Sequence, residues 1–195
     1  DFLAKYWQQR EENKVVVGGR VYPKRCPNAA VRLHWTYGTQ RERQSELGFQ
    51  SNNFLIRKSV FTTIRFDESI RKYGHEDTIF GYHLEKENIP IKPITNPVLH
   101  ASLETTDTYL IHQIEAIQNL KKLRNRYPDL ETRLTKTIDR LQKYGLCQIV
   151  RLLFKSFEKA IESNLRSEKP NLNVFDFFKI GRWLYPTDIK KKRPS

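Results

Sequence analysis

The sequence has no methionine and only two cysteines, Cys26 and Cys147. Two cysteines cannot build the disulfide framework of a small secreted scaffold. Neither has a second Cys or a His at metal-ligand spacing, which excludes a zinc ribbon or finger. Residue 1 is Asp, not a translational start, and this leads us to expect further chain in front of it. Long apolar runs are missing too. The longest aliphatic run is Val15–Val17, far short of a membrane span. The first residues lack the basic and apolar pattern of a signal peptide, so none is expected, and no Asn-X-Ser/Thr sequon occurs although asparagine recurs. These absences favour a reducing, cytoplasmic setting.

Against those absences stands a substantial apolar fraction. Leu, Ile, Val and Phe supply 54 of the 195 residues, above the roughly 20% below which chains stay disordered. A mass of 23.2 kDa fits one domain, or one domain with a helical appendage. Charge is strongly one-sided: 35 Lys and Arg against 22 Asp and Glu, a net of +13 and a pI near 9.8. The excess is spread along the chain and then concentrated in Lys190–Arg193. Such a balance suits polyanionic partners, whether nucleic acid, anionic lipid or phosphorylated substrates, and composition does not choose among them.

The chain divides into two textures. Residues 1–104 mix short strand-like runs, turns and short helices. Residues 105–185 read as nearly continuous helix. In the first part, residues 2–12 place Phe2, Leu3, Tyr6 and Trp7 on one helical face. KVVVGGRVY reads as a strand whose Gly18–Gly19 pair marks a bulge or a close backbone approach. FQSNNFLIRKSVF reads as a strand entering a short helix. Residues 76–88 read as a helix with Glu76 and Asp77 in its first turn, where they complement the dipole. IPIKPI and NPVLHA are short extended segments punctuated by proline. In the second part, Leu110, Ile114, Ile117, Leu120 and Leu123 recur at helical spacing, as do Leu130, Leu134, Ile138 and Leu141 beyond the Pro128 turn. Residues 145–165 gather Leu146, Ile149, Val150, Leu153, Phe157 and Ile161 on one side, with Arg151, Lys155 and Lys159 towards the rim. Two readings stay open for that face: packing within a bundle, or lying on anionic lipid. The aromatic cluster of Phe175, Phe177, Phe178, Trp183, Leu184 and Tyr185 is open in the same way.

The stretch that carries chemistry runs from SNNFLIRKSVF through FDESIRKYGHEDTIFGYHLEKENIPI to NPVLHA. Gly74 loosens the backbone before His75, and Glu76–Asp77 then open a helix whose N–H groups and dipole favour ionised carboxylates. A carboxylate held so is suited to take a proton from a sugar hydroxyl. Taken alone, the pair could equally be a helix cap.

The order of these motifs resembles the acceptor half of family-2 glycosyltransferases of the GT-A fold. It also resembles the related C-terminal segment of galactosyltransferase-like enzymes. The resemblance covers about residues 1–105 and is strongest over 49–100. It implies an α/β fold, with a partial GT-A-like acceptor half at 1–104 followed by an α-helical region with a basic tail at 105–195. It implies an inverting transfer from a nucleotide-sugar donor to a glycan or lipid-linked glycan acceptor, in polysaccharide or glycoconjugate synthesis. Asp77 matches the catalytic base and Glu76 the companion acid that holds the acceptor sugar. Gly74 belongs to the same motif, and Asn52 and Asn53 match a segment lining the sugar pocket. Gly18, Gly19 and Arg20 match a strand flanking the site. His100 matches a histidine that completes a divalent metal site, with Mn²⁺ or Mg²⁺ at the donor diphosphate. Such enzymes hold metal and nucleotide through an Asp-X-Asp motif, and residues 1–195 contain none. Residues 1–7 resemble the helix that follows that motif, so the donor half is expected ahead of residue 1, and the fragment alone is expected to be inactive without it. Peripheral contact with the inner membrane face is expected through the basic C-terminal region. Two alternatives stand beside this reading. One is a non-catalytic interaction domain derived from a transferase. The other is a basic nucleic-acid-binding protein, disfavoured because no binding motif accompanies the charge; no nucleic-acid partner is expected.

Overall fold

A computed structural model describes residues 1–10, 15–42, 48–70 and 73–186. The Lys190–Arg193 tail and Lys14 of the first expected strand lie outside the described residues. The architecture is mixed α/β: two small sheets and a majority of helix.

The chain opens with α1 (Phe2–Gln8), capped by the Asp1 carboxylate accepting from Leu3 N at 3.0 Å. Only Tyr6 of its apolar residues is buried, while Phe2, Leu3 and Trp7 stand exposed. The expected single strand over KVVVGGRVY is in fact two strands, β1 (Val15–Val17) and β2 (Arg20–Val21), which belong to different sheets. The glycine pair is the crossing point. Gly19 has φ +76°, and a Cβ on Gly18 would run into the Tyr6 hydroxyl, the Asn53 amide and the Asn96 carbonyl. The close backbone approach read from the sequence is therefore present, in a junction between sheets.

β1 is the centre of a three-stranded sheet, antiparallel to β3 (Phe54–Ile56) and parallel to β4 (Ile91–Pro93). All three valines are buried, as a strand covered on both faces requires. β2 pairs in parallel with β5 (Val98–Leu99). Between β2 and β3 lie a 3-10 turn (Ala29–Val31), α2 (Arg32–Tyr37) and a π-helical turn (Gly38–Glu42). α3 (Lys58–Thr63) and α4 (Glu76–Lys86) follow β3. α4 buries Ile79, Phe80 and Leu84 and carries Glu76 and Asp77 in its first turn, as the sequence predicts.

The second region holds α5 (Thr106–Arg126), α6 (Arg133–Lys143), α7 (Cys147–Leu165) and α8 (Leu172–Leu184). Thr105, Thr132 and Asn171 cap α5, α6 and α8 with side-chain oxygens, satisfying backbone donors that a helix start leaves open. The change of texture at residue 104 is not a break in packing. One core cluster joins Leu33 of α2 to Tyr109, Phe154, Phe175 and Phe178. Another joins Ile79 of α4 to Leu120, Leu123 and Leu130. The third, beneath the sheet, stays within the first region and includes Val15, Val17, Phe49 and Phe80. The aromatic cluster of 175–185 caps the core: Phe175 and Phe178 are fully buried, and Phe177, Trp183, Leu184 and Tyr185 are partly so. The expected apolar side of 145–165 packs differently. α7 buries Phe154, Ile161 and Leu165, and leaves Leu146, Ile149, Leu153 and Phe157 exposed. Among the described residues, no helix is long and apolar enough to cross a membrane.

Candidate functional site

The start of α4 is built by an unusual backbone turn. Gly74 has φ +94°, and a Cβ there would sit 2.8 Å from that of Ala116 on α5. His75 follows in the left-handed region, φ 77°, as the residue before the helix. Asn119 of α5 donates its amide to the Gly74 carbonyl at 2.7 Å, which fixes the turn against the helical layer. Burial holds the His75 imidazole near pKa 4, so it is neutral at physiological pH. The turn presents Glu76 and Asp77, both partly exposed, at the positive end of the helix dipole. Asp77 Oδ2 accepts from the backbone N–H of Ser51 at 3.1 Å, tying the helix start to the turn that precedes β3. Among the described residues, Oδ1 of Asp77 takes no hydrogen bond.

These carboxylates line a cleft of about 930 Å³ between the sheet region and the helical layer. Arg20, Glu42 and Tyr73 line it from the first region, and Arg133 and Lys179 from α6 and α8. Arg20 donates Nε to Gln50 at 3.3 Å and approaches Glu42 at 3.5 Å. Tyr22 also donates its hydroxyl to Glu42, and burial together with that carboxylate raises the phenol well above its ordinary value. A second hollow of about 610 Å³ is also lined by Asp77 and Thr78.

The structure brings Gly74, Glu76, Asp77 and Arg20 to one cleft and separates the asparagines. Asn52 is exposed in the turn after Ser51. Asn53 is buried and spends its side chain inside the protein. Its Oδ1 accepts from the Tyr6 hydroxyl, and its Nδ2 donates to the carbonyls of Gly19 and Asn96, at 2.9 and 2.7 Å. With both amide functions committed to the junction between the sheets, Asn53 has nothing left for a sugar; its role is to hold the backbone.

His100 sits with aromatic neighbours rather than ligands. Its ring lies 5.3 Å from Tyr22 and 5.6 Å from His34, centroid to centroid. Burial first, and then the Arg20 cation, lower its pKa. Among the described residues no group of three or more His, Cys, Asp or Glu could hold a metal ion. His34 is buried, stacks on Tyr109 at 4.4 Å and accepts from Glu104 N through Nδ1 at 3.0 Å. That bond requires a lone pair on Nδ1, and burial keeps the ring neutral by lowering its pKa. Glu104 in turn pairs with His112 at 2.7 Å.

Sequence reasoning missed Glu42, Tyr73, Arg133 and Lys179 as cleft residues. No local motif marks them; Arg133 and Lys179 arrive from helices far along the chain. No family model matches this chain, and no curated protein or solved structure matches it either.

Proposed function

We propose that this chain forms the acceptor side of an inverting glycosyltransferase of GT-A type. Asp77 is the base in this reading and Glu76 a ligand of the acceptor sugar. The observation that carries it is the Glu76–Asp77 pair, set at a helix start and opening into the cleft, with one Asp77 oxygen fixed by Ser51 N and the other, among the described residues, without a hydrogen bond. Arg20 and Tyr73 supply donors from the first region and Lys179 from α8 across the cleft, the mixture of donors and carboxylates that a polyhydroxylated substrate needs. In the step itself, an Asp77 oxygen takes the proton of the acceptor hydroxyl. The hydroxyl oxygen bonds to the anomeric carbon, and the bond from that carbon to the nucleoside diphosphate breaks, the electron pair leaving with the diphosphate. One displacement inverts the configuration. A positioned base contributes about 10²–10⁴ in rate.

Acceptor binding is testable on the chain itself. Titration with a panel of neutral and acidic oligosaccharides, followed by amide NMR, is expected to shift Ser51, Gly74 and Asp77. Glu76→Gln is expected to weaken that binding about tenfold or more, as loss of a charged hydrogen bond does. Shifts confined to residues outside the cleft, or none with any sugar, contradict the reading and favour a non-catalytic interaction domain.

A further inference from the structure

We propose that the outer face of α7 lies on an anionic phospholipid surface. This inference stands independently of the glycosyl-transfer reading. The face carries five large apolar side chains: Leu146 (40% exposed), Ile149 (55%), Leu152 (64%), Leu153 (45%) and Phe157 (56%). Ile149, Leu152, Leu153 and Phe157 fall on one stripe of the 19-residue helix through steps of three (149 to 152) and four (149 to 153, 153 to 157), and Leu146 extends it as the N-cap residue. The opposite side is committed to the protein through Phe154, Ile161 and Leu165. Isolated exposed apolar residues are ordinary; a continuous stripe of five marks an interaction surface.

Charge decides the occupant. The two acids of α7, Glu158 and Glu162, both turn inward to the buried Arg182, at 2.8 and 2.9 Å. The basic residues remain outside: Lys155 and Lys159 are exposed along one flank of the stripe, and Lys143, beside the exposed Tyr144, stands at the corner before α7. An apolar stripe with a cationic flank, emptied of acids, is the pattern of a helix that rests in the headgroup region with its apolar side chains in the acyl boundary. A second copy of the chain would bring a surface of the same positive sign against this one, on a molecule of net charge +13. An anionic bilayer complements both the stripe and the flank.

Sedimentation with vesicles tests this. The chain is expected to pellet with vesicles containing phosphatidylglycerol and not with phosphatidylcholine alone, and to be released by high salt as screening sets in. Lys155→Ala with Lys159→Ala is expected to weaken partitioning about 25-fold, about fivefold for each charge. Leu152→Glu with Phe157→Glu is expected to abolish it. Both positions are exposed, so the thermal melt of that variant should match the parent, which separates lost docking from lost folding. Three results overturn the proposal. The first is no pelleting with anionic vesicles at low salt, and the second is equal pelleting with neutral ones. The third is full retention of binding by the Leu152→Glu, Phe157→Glu variant. A chain that ignores vesicles but is a dimer, and becomes monomeric in that variant, assigns the stripe to a second copy and also overturns it.

Discussion

Among the described residues of 1–104, amide side chains tie the junction of the two sheets beside a phenylalanine core of its own, whereas between 105 and 186 rings pack the helices around a buried ion pair. Asn53 and Asn96 pin the junction of the two sheets. Asn53 bonds Tyr6 and the carbonyls of Gly19 and Asn96, while Asn96 donates to the carbonyl of Phe2 at 2.9 Å. In the helical layer, Phe154, Phe175 and Phe178 are fully buried, and a buried cation, Arg182, is neutralised by two glutamates and lies over two of those rings. Directional bonds fix a backbone at a few points, which is what a site needs; ring packing is non-directional and builds a wall. The cleft forms where the two meet, at the Gly74 turn held by Asn119.

The difference can be probed by substitution. Phe154→Ala is expected to cost the most, about 3–5 kcal/mol, because it removes a fully buried ring from the centre of the helical layer. Asn53→Ala should cost about 2–3 kcal/mol, because the Asn96 carbonyl and the Tyr6 hydroxyl lose their buried partner and the Gly19 carbonyl keeps only its bond from Val98 N. Because two core clusters cross residue 104, both losses should lower a single denaturation midpoint. Two separate transitions would show that the regions fold apart. A pH effect follows from His75. Its folded pKa is near 4 against an ordinary 6.5, so the unfolded chain binds a proton that the folded turn refuses. Stability from this group is complete well above pH 6.5 and is lost as pH falls towards 4, by about 3 kcal/mol. His75→Asn, which tolerates the left-handed backbone, should flatten that part of a melting-temperature profile against pH; an unchanged slope would locate the titration elsewhere. Gly74→Ala should cost about 1–2 kcal/mol from its positive φ and its contact with Ala116, with hydrogen exchange rising first at the start of α4. Leu152→Gln, on the exposed face, should change stability by less than about 0.5 kcal/mol. A larger loss by chemical denaturation would mean that the stripe is covered within the protein.

Periodicity made the helices legible in advance. Leu110, Ile117, Leu120 and Leu123 are buried as their spacing predicts, and the acidic first turn marked the start of α4. Periodicity could not show which apolar face wins when a helix has more apolar surface than one neighbour can cover. α7 turned Phe154 inward and left Phe157 outside because α8 supplies a complementary surface on one side only. The strand over KVVVGGRVY was legible as extended chain, but its division between two sheets depends on Asn53 and Asn96, distant in sequence. At the cleft, the common placement of Gly74, Glu76 and Asp77 was legible because they fall within four consecutive residues. Arg133 and Lys179 were not, since only tertiary packing brings them to the cleft. Asn53 shows the opposite failure: its residue type suits a sugar pocket, yet burial gave it a structural task.

The central proposal is Asp77 as the base. Its most direct measure is the turnover of the natural protein carrying Asp77→Asn, with nucleotide-sugar donors and the acceptor identified by titration. Asn keeps the side-chain oxygen that Ser51 N needs and removes the basicity. The expected result is a fall of about 10²–10⁴ in kcat, with acceptor affinity and the thermal melt unchanged. Turnover within a few fold of the parent would contradict the assignment and leave the pair at the start of α4 as a helix cap.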